Sequence, residues 1–372
     1  MDLKSTVSSK GYLSFILHAH LPFINHPEYE YFFEESWLFQ AITDCYIPLL
    51  QSFERLEKEN IQYQLTFSIS PTLIAMLQNQ GLQARYKRHL NSLIHLANDE
   101  INFKQNPEEQ KSLAQFYKEK LESCLQYYTK NKHDLLALFV RLHKKKHLEL
   151  ITTAATHAVL PIYQAIPEAI LAQLKTGRDL FVKATGIKPK GVWLPECAYC
   201  EGLESYIKKA GYEYCILENT SVYFASPNID KNVYRRIKLP NGVHAVTRDP
   251  QSSHQVWSAE SGYPGDIDYR EYHKDLCDDS ESPHVLNYLN YFGHRCPSGF
   301  KYWRIQQKNG QRYFYDPNKA KSKALHHARE FILDKRNQIR NIHDEHSSFV
   351  ITAPYDAELF GHWWYEGPEW LE

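Results

Sequence analysis

The chain has 372 residues, room for one large α/β barrel carrying an inserted region or for two ordinary domains. Lys and Arg number 43 against 44 Asp and Glu, a net charge of −1, which argues against nucleic-acid binding through a basic face and lends nothing to a polybasic membrane anchor. Hydrophobic residues make up 43%, enough for a sizeable core, and the seven cysteines are odd in number and irregularly spaced, which argues against a secreted disulfide framework. The stretch Met1 to Lys10 is polar without an apolar signal core, and no apolar run is long enough to span a bilayer. A cytoplasmic protein is the expectation.

Strand-like and helix-like stretches alternate. Tyr12 to Leu17 is a β-rich run ending in His18-Ala19-His20. A helix is expected from Ser36, placed to cap it, to Lys58, and a strand from Tyr63 to Ile69. Helices fill much of Thr72 to Lys145, where Lys144-Lys145-Lys146 reads as a solvated face. A strand at Leu150 to Ala155 ends in Thr156-His157. The helix Pro167 to Thr185 has Pro near its start and Gly186 past its end. A short buried strand, Gly191 to Leu194, ends in Pro195-Glu196, and a helix follows from Gly202 to Ala210. Strands at Tyr214 to Leu217 and His244 to Thr247 come next, the latter ending at Arg248.

From Asp249 to about Asn318 the pattern changes to Tyr, Trp, Gly, Pro and charged residues, with a hairpin turn expected at Asn309-Gly310. This region reads as an insertion into a barrel formed by residues 1–248 and 319–372. A helix from Ala320 to Ile342 leads to a last buried strand, Phe349 to Ala353, which ends in Pro354-Tyr355-Asp356.

Strands separated by helices imply parallel strands with right-handed crossovers. Polar residues follow several strands directly: His18 and His20, His157, Glu196, Arg248 and Asp356. In a parallel barrel those ends meet at one face, where active sites form. Two of these residues are carboxylates, and two carboxylates facing one cleft can serve as nucleophile and general acid/base on an acetal. The alternative is that each caps a strand end or pairs with a cation.

The histidines leave three readings open. Alternate positions on a strand point the same way, so His18 and His20 suit a metal pair completed by His157 and Asp356. They equally suit hydrogen bonds to substrate hydroxyls, or burial against backbone carbonyls. Cys197 and Cys200 form a lone CxxC pair and read as thiols packed beside Glu196. Aromatic residues are dense around these positions: Trp257, Tyr263, Tyr269, Tyr272 and Trp303 in the insertion, and Trp363-Trp364-Tyr365 after Asp356. Such rings can stack on sugar faces or pack the insertion onto the barrel. There is no P-loop and no convincing GxGxxG, so no nucleotide cofactor is expected.

At this point the chain resembles glycoside hydrolase family 57, and within it the 1,4-α-glucan branching group. The resemblance rests on five segments in order: His18-Ala19-His20-Leu21-Pro22-Phe23, Ala154-Ala155-Thr156-His157, Trp193 to Tyr199, Gln255 to Asp266, and Ala353 to Trp364. It implies an incomplete (β/α)7 barrel, a distorted relative of the TIM barrel, and a metal-free, cofactor-free retaining double displacement. Glu196 falls on the family nucleophile and Asp356 on its acid/base. The resemblance places His18, His20 and His157 around the donor sugar, with Arg248, Trp257 and Asp266 in the segment that shapes the cleft. Trp303, His362, Trp363 and Trp364 join them as expected substrate contacts.

The implied partner is α-1,4-glucan, as donor and acceptor. An α-amylase or 4-α-glucanotransferase shares this chemistry. A metal-dependent hydrolase using the three histidines and Asp356, and a glucan-binding remnant without turnover, are the rivals from other classes. The branching group continues beyond the final motif into a helical C-terminal domain. The sequence has no such domain after Trp370-Leu371, so a separate partner or self-association is expected there.

Overall fold

A computed structural model describes residues 11–225, 233–292, 296–306, 310–342 and 349–372. Met1 to Lys10 and Asn309 of the expected hairpin turn lie outside the described residues. Eight strands form one sheet: β1 (Gly11–Ala19), β2 (Leu65–Ile69), β3 (Leu148–Thr153), β4 (Gly191–Trp193), β5 (Tyr214–Leu217), β6 (Ile237–Lys238), β7 (His244–Thr247) and β8 (Phe349–Asp356). Their order is β6-β7-β5-β4-β3-β2-β1-β8. Seven strands are parallel, and the two-residue β6 adds an antiparallel edge beside β7. The sheet curls without closing, which is the incomplete (β/α)7 barrel.

Parallel strands covered on both faces read as continuous apolar runs. Accordingly Ile16 to Ala19 of β1 and Phe67 to Ile69 of β2 are buried without alternation. Local signals set the helix ends. Ser70, Asn79 and Asp134 cap the helices Pro71–Leu77, Gln80–Asn102 and Leu135–Lys144 through side-chain oxygens. Pro167 opens the helix Pro167–Thr185, and Gly186 closes it at φ +72°.

The expected cap at Ser36 is not there. The helix begins at Glu35, and the Ser36 hydroxyl is buried inside it without a partner among the described residues. The run to Lys58 is also not one α-helix. It passes through a π-helical stretch, Ala41–Tyr46, between Glu35–Gln40 and Ile47–Lys58. Such stretches widen the helix and often mark functional ground.

The open seam between β7 and β8 is closed by other means. Asp249 N donates to Thr352 O at 2.9 Å, and Val350 N donates to Tyr234 O at 2.8 Å. Behind them Lys335 Nζ lies 3.3 Å from Asp249 Oδ2, both side chains almost wholly buried, and Gln338 donates to the other oxygen at 2.8 Å. Residues of the 249–318 region, among them Val256, Tyr269, Phe300 and Tyr315, share a single apolar core with Leu17, Phe67 and Tyr355 of the sheet. Among the described residues no helix is long and apolar enough to cross a membrane.

Candidate active site

A cleft of about 800 Å³ opens at the C-terminal ends of the strands. Its wall includes His18 and His20 from β1 and the residue after it, His157 after β3, Glu196 after β4, Arg248 after β7 and Asp356 at the end of β8. The parallel register sets this convergence: His18 stands opposite Asp356 in the β1–β8 ladder.

Glu196 projects from a tight turn. Its backbone sits at φ 57°, ψ 20°, in the left-handed region, and Cys197 follows at φ 51°. Neither is a glycine, so the turn holds strain of about 1–3 kcal/mol per residue, of the kind kept where a side chain must be aimed. Cys197 N, bonded to Leu194 O at 2.7 Å, secures the turn. Asp356 opens into the same space, ringed by the cleft walls. Desolvation pushes its carboxyl up to about 6, Arg248 pulls it down, and the nearby Glu196 raises it further.

The three histidines form a stacked group. His18 Nε2 lies 3.0 Å from His157 Nε2, and its Nδ1 lies 3.0 Å from Ser68 Oγ. The His20 and His157 rings stack with centroids 3.7 Å apart, and Trp193 lies flat against His18 at 4.5 Å. Burial lowers all three from the usual histidine range, His18 well below it and His20 to about 3, with neighbouring imidazoles adding to the effect on those two and Glu196 opposing it on His157. They are neutral at physiological pH. His20 Nδ1 is buried without a hydrogen-bond partner among the described residues. Among the described residues no group of three or more His, Cys, Asp or Glu side chains is arranged to hold a metal ion.

Arg248 Nε lies 3.1 Å from Glu218 Oε2, and its Nη2 donates to Cys197 Sγ at 3.8 Å. Burial pushes the Cys197 thiol up to about 11 despite Arg248, so it packs as a thiol beside Glu196. On the rim Trp363 is 55% exposed, stacked on Tyr272 at 4.4 Å, with Lys301 over the far ring at 4.0 Å. Trp257 and Trp37 also present half-open rings to the cleft. His362, bonded to Gln40 Oε1 at 3.0 Å, is held neutral by burial, its range lowered to about 4.

Three expected contacts lie elsewhere. Trp364 points the opposite way from its neighbour Trp363 and is 1% exposed, packed against Trp370 and Tyr269 in the core. Trp303 stacks on Phe314 at 4.7 Å, away from the cleft. Asp266 faces the helix Pro317–Asn341, with Lys323 at 3.5 Å and His327 at 3.6 Å. Conversely, Glu218 and Glu358, outside the expected set, both stand in the cleft wall. Glu218 follows β5 directly, so the strand-end rule that selected its counterparts also selects it. Glu358 lies two residues past the end of β8, behind Asp356, and its charge among Ala357, Leu359 and Phe360 is the signal that marks it.

The profile of the family described as "Glycosyl hydrolase family 57" matches residues 14–372. The chain belongs to that family. It is 32% identical to the 1,4-alpha-glucan branching enzyme TK1436 of Thermococcus kodakarensis, over 97% of this chain and 54% of that protein. It thus spans about half the length of that relative. Among solved structures, the alpha-amylase AmyC from Thermotoga maritima aligns with a TM-score of 0.91 at 41% identity, over 97% of this chain and 70% of that one. The branching enzyme of Pyrococcus horikoshii aligns at 0.83 and 31%, over 97% and 66%.

Proposed function

We propose that this chain carries the catalytic barrel of a retaining enzyme acting on α-1,4-glucan, with branching as its reaction. The observation that supports it most is the sharing of one cleft by Glu196 and Asp356, with Asp356 held near pH 6, where a carboxyl can give and take a proton. In the first step a Glu196 oxygen attacks the anomeric carbon. The glycosidic C1–O4 bond breaks, and O4 takes the Asp356 proton. In the second step Asp356 takes the proton from the 6-hydroxyl of another chain. That oxygen displaces Glu196 from C1 and forms an α-1,6 linkage. Both displacements invert at C1, so the net outcome is retention.

The neutral histidines are donors and acceptors for sugar hydroxyls in this scheme, and Trp257 and Trp363 are stacking surfaces. His362 supports the rim. The reading as a cytoplasmic enzyme draws on the odd number and irregular spacing of its seven cysteines, which suit a reducing compartment, and glycogen-type synthesis follows from the branching reaction proposed.

Hydrolysis is the second reading, and the likeness to AmyC favours it. Water in place of the 6-hydroxyl gives an amylase from the same intermediate. Incubating the chain with amylose and counting new α-1,6 linkages against new reducing ends decides between them. Branching predicts linkages in excess, amylase predicts reducing ends alone, and neither product would refute both.

A further inference from the structure

Glu358 belongs to the cleft wall yet is 7% exposed. Its Oε1 accepts from His20 N at 3.1 Å and from the Tyr46 hydroxyl, so one oxygen joins three segments: the chain just past β1, the π-helical stretch Ala41–Tyr46, and the turn Ala357–Leu359 that follows Asp356. The widened helix is itself fastened there, because Cys45 Sγ donates to Ala357 O at 2.9 Å. Nearby, Gly361 is at φ +106°, and a Cβ on it would fall 1.7 Å from Asp44 O, so the helix and the turn meet in backbone contact.

The groups facing Glu358 are Tyr46 and Cys45 from the π-helical stretch, His20 from the chain past β1, and Asp356 from its own segment. None is a cation at neutral pH, and among the described residues no Lys or Arg pairs with it. A carboxylate taken out of water without a counter-charge is costly, and such a group keeps its proton instead.

We propose that Glu358 is a positioning residue which, as an un-ionised carboxylic acid, ties the His20 backbone to Tyr46 and to the Asp356 turn, and so sets where the His20 ring meets the sugar. The electrostatics agree: burial is the main cause that pushes Glu358 up to about 8, with Asp356 adding to it and the Tyr46 hydrogen bond opposing it. The sugar contact rests on the glucan-active reading of the site, whereas the proton and the clamp do not.

The test compares Glu358→Gln with Glu358→Leu. Gln keeps an acceptor oxygen and a neutral head, so kcat/KM on a maltooligosaccharide should stay within a few-fold of the parent. Leu should lose it on the order of 10- to 100-fold through misplacement of His20. A buried acid whose folded pKa is raised costs stability as pH climbs from its unfolded value through the folded one. The melting temperature of Glu358→Gln relative to the parent should therefore rise between pH 5 and pH 8. A purely structural hydrogen bond would leave that difference flat.

Imidazole nitrogen NMR of His20 reads the clamp without turnover: unchanged in Glu358→Gln, shifted in Glu358→Leu. If the Leu variant does not fold, Tyr46→Phe, which removes one donor, takes its place. A flat melting difference, or Gln as damaging as Leu, overturns the proposal. A parent chain with no turnover on α-glucan refutes the glucan reading alone, and melting and NMR then decide the role of Glu358.

Discussion

The Nε2 atoms of His18 and His157 stand 3.0 Å apart, so one must carry a proton and the other must not. Two imidazolium rings cannot share that distance, and a third ring, His20, stacks on His157. The group is therefore built to be neutral.

That neutrality has a measurable consequence in acid. A histidine whose folded pKa is depressed contributes stability above its unfolded value near 6.5 and loses it as pH falls toward the folded value. For His20 the window runs from about 6.5 to about 3. Each proton taken up only on unfolding gives a slope of about 1.4 kcal/mol per pH unit. His20→Gln should flatten the loss of stability between pH 6 and pH 4.5 by roughly that amount. Urea unfolding across the window checks it, and parallel curves would contradict it.

Asp356 and Arg248 make a second pH statement. A general acid must be protonated, so the alkaline limb of kcat/KM should fall near pH 6. Arg248 holds Asp356 down, and Arg248→Gln should therefore move that limb to higher pH, by on the order of one unit. A limb that stays in place, or moves down, would show that another group sets it.

The seam between β7 and β8 rests on Asp249 and Lys335. Lys335→Met leaves Asp249 buried without its cation and should cost about 3–5 kcal/mol in chemical denaturation. Removing both charges, as Asp249→Leu with Lys335→Met, should cost less than Lys335→Met alone. If the double variant is the weaker of the two, the pair does not behave as a desolvated ion pair.

The positions of Glu196, Arg248 and Asp356 in one cleft were legible because a parallel sheet gathers its strand ends, and the polar residue after an apolar run is visible in one dimension. Which way a ring points beyond the strand was not. Trp363 and Trp364 are adjacent and chemically alike, yet one faces solvent and the other packs into the core. The π-helical stretch Ala41–Tyr46 was equally hidden: Asp44 and Cys45 meet the turn after Asp356, a contact between segments distant in sequence. Asp266 and Trp303 lie outside the cleft wall for a related reason. A motif gives sequence neighbours, whereas Lys323, His327 and Phe314 decide where those side chains settle.

The central claim is that Glu196 forms the covalent intermediate and Asp356 handles the proton. Asp356→Ala, given a maltosyl fluoride whose leaving group needs no acid, should accumulate the intermediate because the second step lacks its base. Mass spectrometry of the rapidly acidified protein should then show one added maltosyl group on the peptide containing Glu196, discharged by azide, with a second inversion at C1, as an α-glycosyl azide. An adduct on Glu218, on another residue, or no adduct while fluoride is still released would contradict the account.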